Sequence, residues 1–396
     1  MRVIKNENGL PIKLWADYVE DGAMEQIEHL SKLPFVFKHI AIMPDVHQGY
    51  GMPIGGVMAT QGVVVPNAVG VDIGCGMCAV ETSLKEKDLD TETLKEVMGE
   101  IREVIPVGFN HQKEKQPAYE MPRLEYPIDI PSECNKYPVC REYENARSQI
   151  GTLGGGNHFI EIQKSSKGNV WIMLHSGSRN LGYKVARFYN ELAVKLNSKW
   201  FSKVPKEWEL AFLPLDSDEG ENYLREMQYC VDFALANRSL MMDRIKEVIG
   251  KHFPNTSFQE MINIAHNYAV MENHFRKNVM VHRKGATRAR KGEIGIIPSS
   301  QGTASYIVEG LGNPQSFQSC SHGAGRVMGR NQARKELSLE DEVKRLDDKN
   351  ILHSIRTVED LDEASGAYKD IDVVMKNQEE LVKIIEKLEP MAIIKG

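Results

Sequence analysis

The chain has 396 residues, 41% of them hydrophobic and 26% charged, the balance of a globular protein with one large core or two modest ones. No run approaches the roughly 18 apolar residues of a membrane span, and the opening MRVIKNENGLPIK lacks a secretory apolar segment; the cytosol is the expected compartment, with no membrane partner. A net charge of −6 argues against nucleic-acid binding by bulk positive charge, although HRKGATRARKG (His282–Gly292) is a local basic patch or a solvated loop.

Residues 1–40 read as a lead-in with an amphipathic helix near Asp21–Leu33. PDVHQGYG follows a short strand and presents Asp45 and His47; Asp-x-His can bind metal, but a carboxylate orienting a histidine ligand is the expected role. Val57–Val65 reads as strand, turn, strand and leads to GVDIGCG (Gly70–Gly76). There a hard oxygen ligand, Asp72, stands three residues from a soft sulfur ligand, Cys75, in a loop that is either a metal cradle or a glycine-rich turn between buried strands. A thiolate can bridge two ions, so this loop could anchor the metal pair, about 3.5–4 Å apart, of two-metal phosphoryl chemistry. The six cysteines are too few and scattered for a disulfide scaffold; thiols or ligands are expected, with Cys75 the favoured ligand.

Met77–Thr82 continues as a strand, Leu89–Val104 is a helix, and 106–145 reads as an exposed insertion or lid. GTLGGGNHFIE (Gly151–Glu161) joins a backbone that can approach phosphate to Asn157, His158 and Glu161. Trp171–Leu174 is a buried strand ending in HSGSRNLG, with His175 at its tip and Arg179 beyond. Gly182–Lys199 and Gly220–Gly250 are helices whose methionines belong to the core. His266 and His274 read as structural or as supporting a site. Val279–His282 is a strand ending in another histidine, and residues 295–310 are strand, glycine turn, strand. SCSHGAGRVMGR (Ser319–Arg330) sets His322 beside Arg326 and Arg330 ahead of a polar helix running to about Arg345, a place suited to a histidine attacking phosphate. A helix over Gln378–Leu388 and an apolar run that pins Lys395 close the chain.

Asp72, Cys75, His158, His175 and His282 each lie at a strand end or glycine turn and make five donors of mixed softness, enough for two ions sharing the thiolate. Zinc suits one position, and manganese suits an oxygen-rich substrate bridging both. His322 is left as the reactive group.

PDVHQGYG, GVDIGCG, GGGNHFIE, HSGSR, HRKGATRA, SHGAGR and the terminal Lys-Gly occur in an order that resembles the RtcB-type RNA-splicing ligases along almost the whole chain. The resemblance implies two manganese ions held by Asp72, Cys75, His158, His175 and His282, with Cys75 bridging, and a His322 guanylylated by GTP. It places Asn157, Glu161, Arg283, Pro298, Ser299, Ser300, Gln301, Ser305, Gly323, Ala324, Gly325, Tyr368 and Lys395 at the nucleotide, and Arg179 and Arg326 on phosphate or RNA. It further implies RNA substrates with a 2′,3′-cyclic phosphate or 3′-phosphate and a 5′-hydroxyl, such as tRNA halves or broken RNA, and an archease-like activator. One departure is IPSSQG (297–302), where Ser299 and Gln301 replace the family's usual glycine and methionine. The implied fold is α+β, one RtcB-like domain over 1–396 with central antiparallel sheets flanked by helices. The alternatives are a metal-dependent RNA cyclic phosphodiesterase or phosphatase, which has no need of a nucleotide-accepting His322 or of Lys395, and an inactive RNA-binding repair factor, which has no need of all five ligands.

Overall fold

A computed structural model describes residues 1–124 and 134–396. The fold is α+β, with two large sheets. In the first, the strands run in the order Arg2–Ile4, Ile12–Leu14, Val36–His47, Ile54–Thr60, Lys277–Lys284, Asn267–His274; neighbours are antiparallel except Ile12–Leu14 beside Val36–His47. The second is antiparallel throughout, in the order Ile262–Ala265, Gly76–Lys85, Asn169–Ser176, Phe159–Ser165, Val382–Lys395, Ser305–Gly310, Ile294–Ile297. The chain crosses between these sheets at two consequential places. One is the 68–75 segment carrying Asp72 and Cys75; the other is His266, the single residue between Ile262–Ala265 and Asn267–His274.

The helices cover the sheets' outer faces. Asp218–His252 begins with Ser217 accepting from the Gly220 N–H, carries Asp218, Glu219 and Glu221 in its first turn, and ends in Lys251 and His252, charges that complement the helix dipole. With Val97, Met98 and Ile101 of the helix Thr91–Val104, its Met241, Met242, Ile245 and Val248 bury Val80, Ile160, Ile172 and Leu174 of the seven-stranded sheet. Each such aliphatic side chain contributes about 1.5–3 kcal/mol by leaving water. The helix Asp21–Ser31 covers the six-stranded sheet in the same way through Ala23, Ile27 and Leu30.

Three expectations change. The segment expected as a helix over Gln378–Leu388 is instead a turn leading into the strand Val382–Lys395, which is paired on both sides. Burial at Val382, Glu386, Leu388 and Pro390 follows a two-residue period over its later part, and Pro390, which has no N–H to give, sits at a bulge. The polar helix after His322 is two short ones, Arg330–Glu336 and Leu339–Asp347, because Ser338 breaks the run and caps the second through the Asp341 N–H. Cys134 and Cys140, expected as thiols or ligands, form a disulfide across Cα atoms 5.3 Å apart, while the other four cysteines are free. Part of the expected insertion, 125–133, lies outside the described residues. Its beginning is packed: Gly108 N–H donates to Gly154 O (2.9 Å) and Leu153 N–H to Pro106 O (2.9 Å), bracing the glycine run before Asn157.

Candidate active site

The two sheets enclose a cavity of about 680 Å3. His175 and His266 line it, and behind them Asp72 and Cys75 stand on the crossover segment, whose Gly74 has φ +76°; a Cβ there would stand 2.7 Å from Val231 Cα of the long helix, so only glycine lets the loop lie so close. That helix also fixes the loop from behind. Fully buried Arg238 donates to Gly74 O (3.0 Å), Ser176 O (2.8 Å) and Asn263 Oδ1 (2.7 Å), tying down the carbonyls next to Cys75 and His175.

Two groups of potential ligands share Cys75: Asp72, Cys75 and His158, and Cys75, His175 and His266. Cys75 Sγ lies 3.5 Å from His158 Nε2 and 3.2 Å from His175 Nε2; His158 Nε2 is 3.2 Å from Asp72 Oδ2, and His175 Nε2 is 3.4 Å from His266 Nε2. Because a carbonyl only accepts, His158 Nδ1 donates to Leu153 O (2.9 Å) and His175 Nδ1 to Asn157 O (3.1 Å), which turns both Nε2 lone pairs toward Cys75. Burial lowers the pKa of His158 and carries His175 and His266 well below the usual histidine value, so the rings are neutral, as metal ligation requires. Burial, then the Asp72 charge, pushes the Cys75 thiol well up, so that a cation is what would release its proton. Burial also opposes the charge of Asp72, but its neighbours His158, Cys75 and Arg179 together outweigh it and hold the carboxyl at about 2. An oxygen, a sulfur and three imidazoles around one shared thiol fit two transition-metal ions.

The fifth potential ligand in this geometry is therefore His266, and the expectation for His282 is corrected. His282 is fully buried in the six-stranded sheet, its Nε2 accepting from Val65 N–H (2.9 Å) and its Nδ1 donating to Met58 O (3.3 Å). Both ring nitrogens are consumed by backbone. His282 lies inside the strand Lys277–Lys284, paired on both sides, whereas His266 stands where the chain passes from one sheet to the other. The neighbouring Asn267 braces this crossover, its side chain donating to Asp72 O (3.0 Å) and accepting from Gly285 N–H (2.7 Å).

His322 lies beside this cluster, its ring centroid 4.7 Å from that of His266. The fully buried Asp45 carboxylate takes three donors through Oδ2: His322 Nδ1 (2.6 Å), His322 N–H (3.0 Å) and Gly323 N–H (3.3 Å). Burial works against the charge of Asp45, but His322 outweighs it and keeps the carboxyl below the usual range. Gly325, at φ +77°, makes the grip possible, since any Cβ there would collide with Asp45 O. Asp45 thus orients the candidate nucleophile and not, as expected, a metal-binding histidine.

Asn157, Glu161, Pro298, Ser299, Ser300, Gln301, Gly323, Ala324, Gly325, Arg326, Tyr368 and Lys395 line the same cavity. Burial lifts Glu161 to about 8 and, on the same wall, lowers Lys395 to about 8. In the departing IPSSQG stretch, Gln301 Nε2 donates to Glu363 O (3.2 Å) and ties the wall to the next loop. Ser305 stands one layer back, its Oγ accepting from Ser299 N–H (3.4 Å) and Gln163 Nε2 (3.3 Å). Arg326 reaches Glu363 Oε2 (2.8 Å) and Asp362 O (2.6 Å), and Arg330 Nε reaches Glu363 Oε1 (2.8 Å); buried Glu363 holds both guanidiniums and was not singled out in the sequence. Arg179 lies behind the metal-ligand group, with Nη1 3.1 Å from His158 Nδ1. Arg283 is a second correction. It is wholly buried in a two-pronged pair with Glu272 (3.1 and 3.0 Å) and a bond to Ser319 Oγ (2.9 Å), and it does not line the cavity.

No helix among the described residues is long and apolar enough to cross a membrane. The sequence model of the family described as tRNA-splicing ligase RtcB matches residues 26–396. The RNA-splicing ligase RtcB of Escherichia coli K12 is 40% identical over 415 aligned positions, covering 100% of this chain and 99% of the relative. The tRNA-splicing ligase RtcB of Nanoarchaeum equitans is 31% identical over 98% of this chain and 95% of its own length, and RNA-splicing ligase RtcB homolog 2 of Entamoeba dispar is 31% identical over 95% and 84%. With that likeness, and with a group of potential metal ligands beside His322, the chain belongs to the RtcB family of RNA-splicing ligases.

Proposed function

We propose that this chain, an RNA ligase by family, joins an RNA 3′-phosphate or 2′,3′-cyclic phosphate end to a 5′-hydroxyl end through a GMP carried on His322. The observation that carries the reading is the Asp45–His322 bond of 2.6 Å. A carboxylate on Nδ1 leaves the Nε2 lone pair for attack and stabilises the positive charge the ring gains as it bonds to phosphorus. Nε2 forms a bond to the α-phosphorus of GTP as the bond to pyrophosphate breaks. A cyclic end is first opened by water, the bond from phosphorus to the 2′-oxygen breaking; an oxygen of the RNA 3′-phosphate then takes the GMP from His322, and the second RNA's 5′-hydroxyl displaces GMP to leave the joined strand.

Asp72, Cys75, His158, His175 and His266 would hold two divalent ions, manganese by the resemblance, which supply charge neutralisation for the converging phosphates. Asn157, Glu161, the 298–301 segment, Tyr368 and Lys395 would bind the guanosine, with Ser305 supporting them from behind. Arg326 would face phosphate from its Glu363 anchor, and Arg179, by the resemblance, would grip phosphate or RNA. The same reading takes 1–396 as one catalytic domain, the cytoplasm as its compartment, tRNA halves or broken RNA as substrates and an archease-like protein as activator.

The test is incubation with α-labelled GTP and manganese followed by denaturing electrophoresis. Acid-labile label on the unaltered protein, absent from His322→Ala, is expected. No label with any divalent metal overturns the reading in favour of cyclic-phosphate hydrolysis.

A further inference from the structure

One residue fixes two imidazoles. The Asp45 side chain receives His322 Nδ1, and the Asp45 backbone carbonyl receives His47 Nδ1 (3.0 Å). A carbonyl cannot donate, so His47 carries its proton on Nδ1 and its lone pair on Nε2. That Nε2 has no partner among the described residues, and His47 lines the cavity. His47 belongs to neither potential metal-ligand group. The strand end carrying it is pinned by Lys369, whose Nζ donates to Pro44 O (3.1 Å) and Val46 O (2.6 Å).

Position narrows the role. Glu161, Ser299 and Lys395 face the cavity from the seven-stranded sheet and its loops, whereas His47, Gln48, Tyr50 and Ile54 face it from the six-stranded sheet, with His322 between. The second side has no part in the guanosine site proposed above and opens past Tyr50, an exposed ring suited to stacking on a base. We propose that His47 is the general base of the joining step, its Nε2 accepting the proton of the attacking RNA 5′-hydroxyl.

This rests on the ligase reading. In the step, the 5′-oxygen bonds to the 3′-phosphorus, the bond from that phosphorus to GMP breaks with its electron pair leaving on GMP, and the hydroxyl proton passes to His47 Nε2 and then to solvent. Burial, with some help from His322 and Lys369 and against the pull of Asp45, lowers His47 to about 4, so its lone pair is free at neutral pH; incoming RNA phosphates act in the opposite direction and favour proton uptake.

The experiment separates the steps. His322 labelling by GTP is compared with the joining of RNA already bearing GMP on its 3′-phosphate, in the unaltered protein, His47→Asn and His47→Ala. Asparagine keeps an N–H donor for the Asp45 carbonyl but offers no basic nitrogen. Joining should fall by on the order of 10²–10³ more than labelling in both variants, with part of the His47→Ala loss restored by added imidazole. Equal loss of labelling and joining, or joining that survives in His47→Asn, overturns the proposal. Absent labelling in the unaltered protein overturns the underlying ligase reading, and this proposal with it.

Discussion

The two walls of the cavity differ in what their polar groups hold. On the seven-stranded side, His158 and His175 are each held through Nδ1 by a backbone carbonyl, which aims the other nitrogen at the shared Cys75. On the six-stranded side the Asp45 backbone carbonyl holds His47 in that way too, but His322 is held by the buried Asp45 carboxylate. A carbonyl sets the tautomer of a neutral ring; a carboxylate also stabilises a ring that becomes positive. The first suits a ring that works through its neutral lone pair, as a ligand or a base, and the second a nucleophile.

The most damaging way to break this contrast is Asp45→Asn, which keeps the shape of the side chain and removes the charge. His322 labelling by GTP should fall by on the order of 10³–10⁴, as when a triad carboxylate is neutralised, while manganese binding is retained. Retained labelling would mean that the carboxylate is only structural.

A second comparison sharpens the ligand wall. His266→Ala should weaken manganese binding by at least about 10–100-fold, read from the electron paramagnetic resonance signal of free manganese. His282→Ala should leave that affinity unchanged and cost about 1–3 kcal/mol of stability, since it strands the Val65 N–H. The reverse pattern would restore His282 to the site.

The smallest effect concerns the helix behind both walls. Burial raises Glu226 to about 8 in the fold from the usual 4.5, so the native state holds a proton that the unfolded chain releases between those values. Its stabilising contribution is present below pH 4.5 and is lost as pH rises through 8. Glu226→Gln should therefore match the unaltered protein near pH 4 and exceed it in thermal stability by about 1–3 kcal/mol near pH 9. Equal melting curves at both pH values would contradict the raised value.

Much of the site could be read from sequence wherever the backbone demanded glycine beside a polar side chain. Asp72, Cys75, His158 and His322 sit in such loops and His175 at the end of a strand just before Gly177, and the structure brings them together. His266 could not be ranked above His282 on local grounds, because the choice depends on which strand ends at the gap between sheets. Asp45 was legible as an orienting group, but its partner lies 277 residues away in the chain. Glu363 and Arg238 act through buried ion pairs and carbonyl contacts between distant segments and leave no local pattern. The last strand misled for a different reason. Leu381, Ile384, Ile385 and Leu388 have helical spacing, yet pairing with strands on both sides outweighs that local preference.

The most direct measurement of the central claim is mass spectrometry of peptides from protein incubated with GTP and manganese, kept above acidic pH. The account predicts the mass of GMP on the peptide containing His322, attached at its ring nitrogen, and none there in Asp45→Asn at matched times. GMP on a lysine, on His47 or on no residue at all would contradict it.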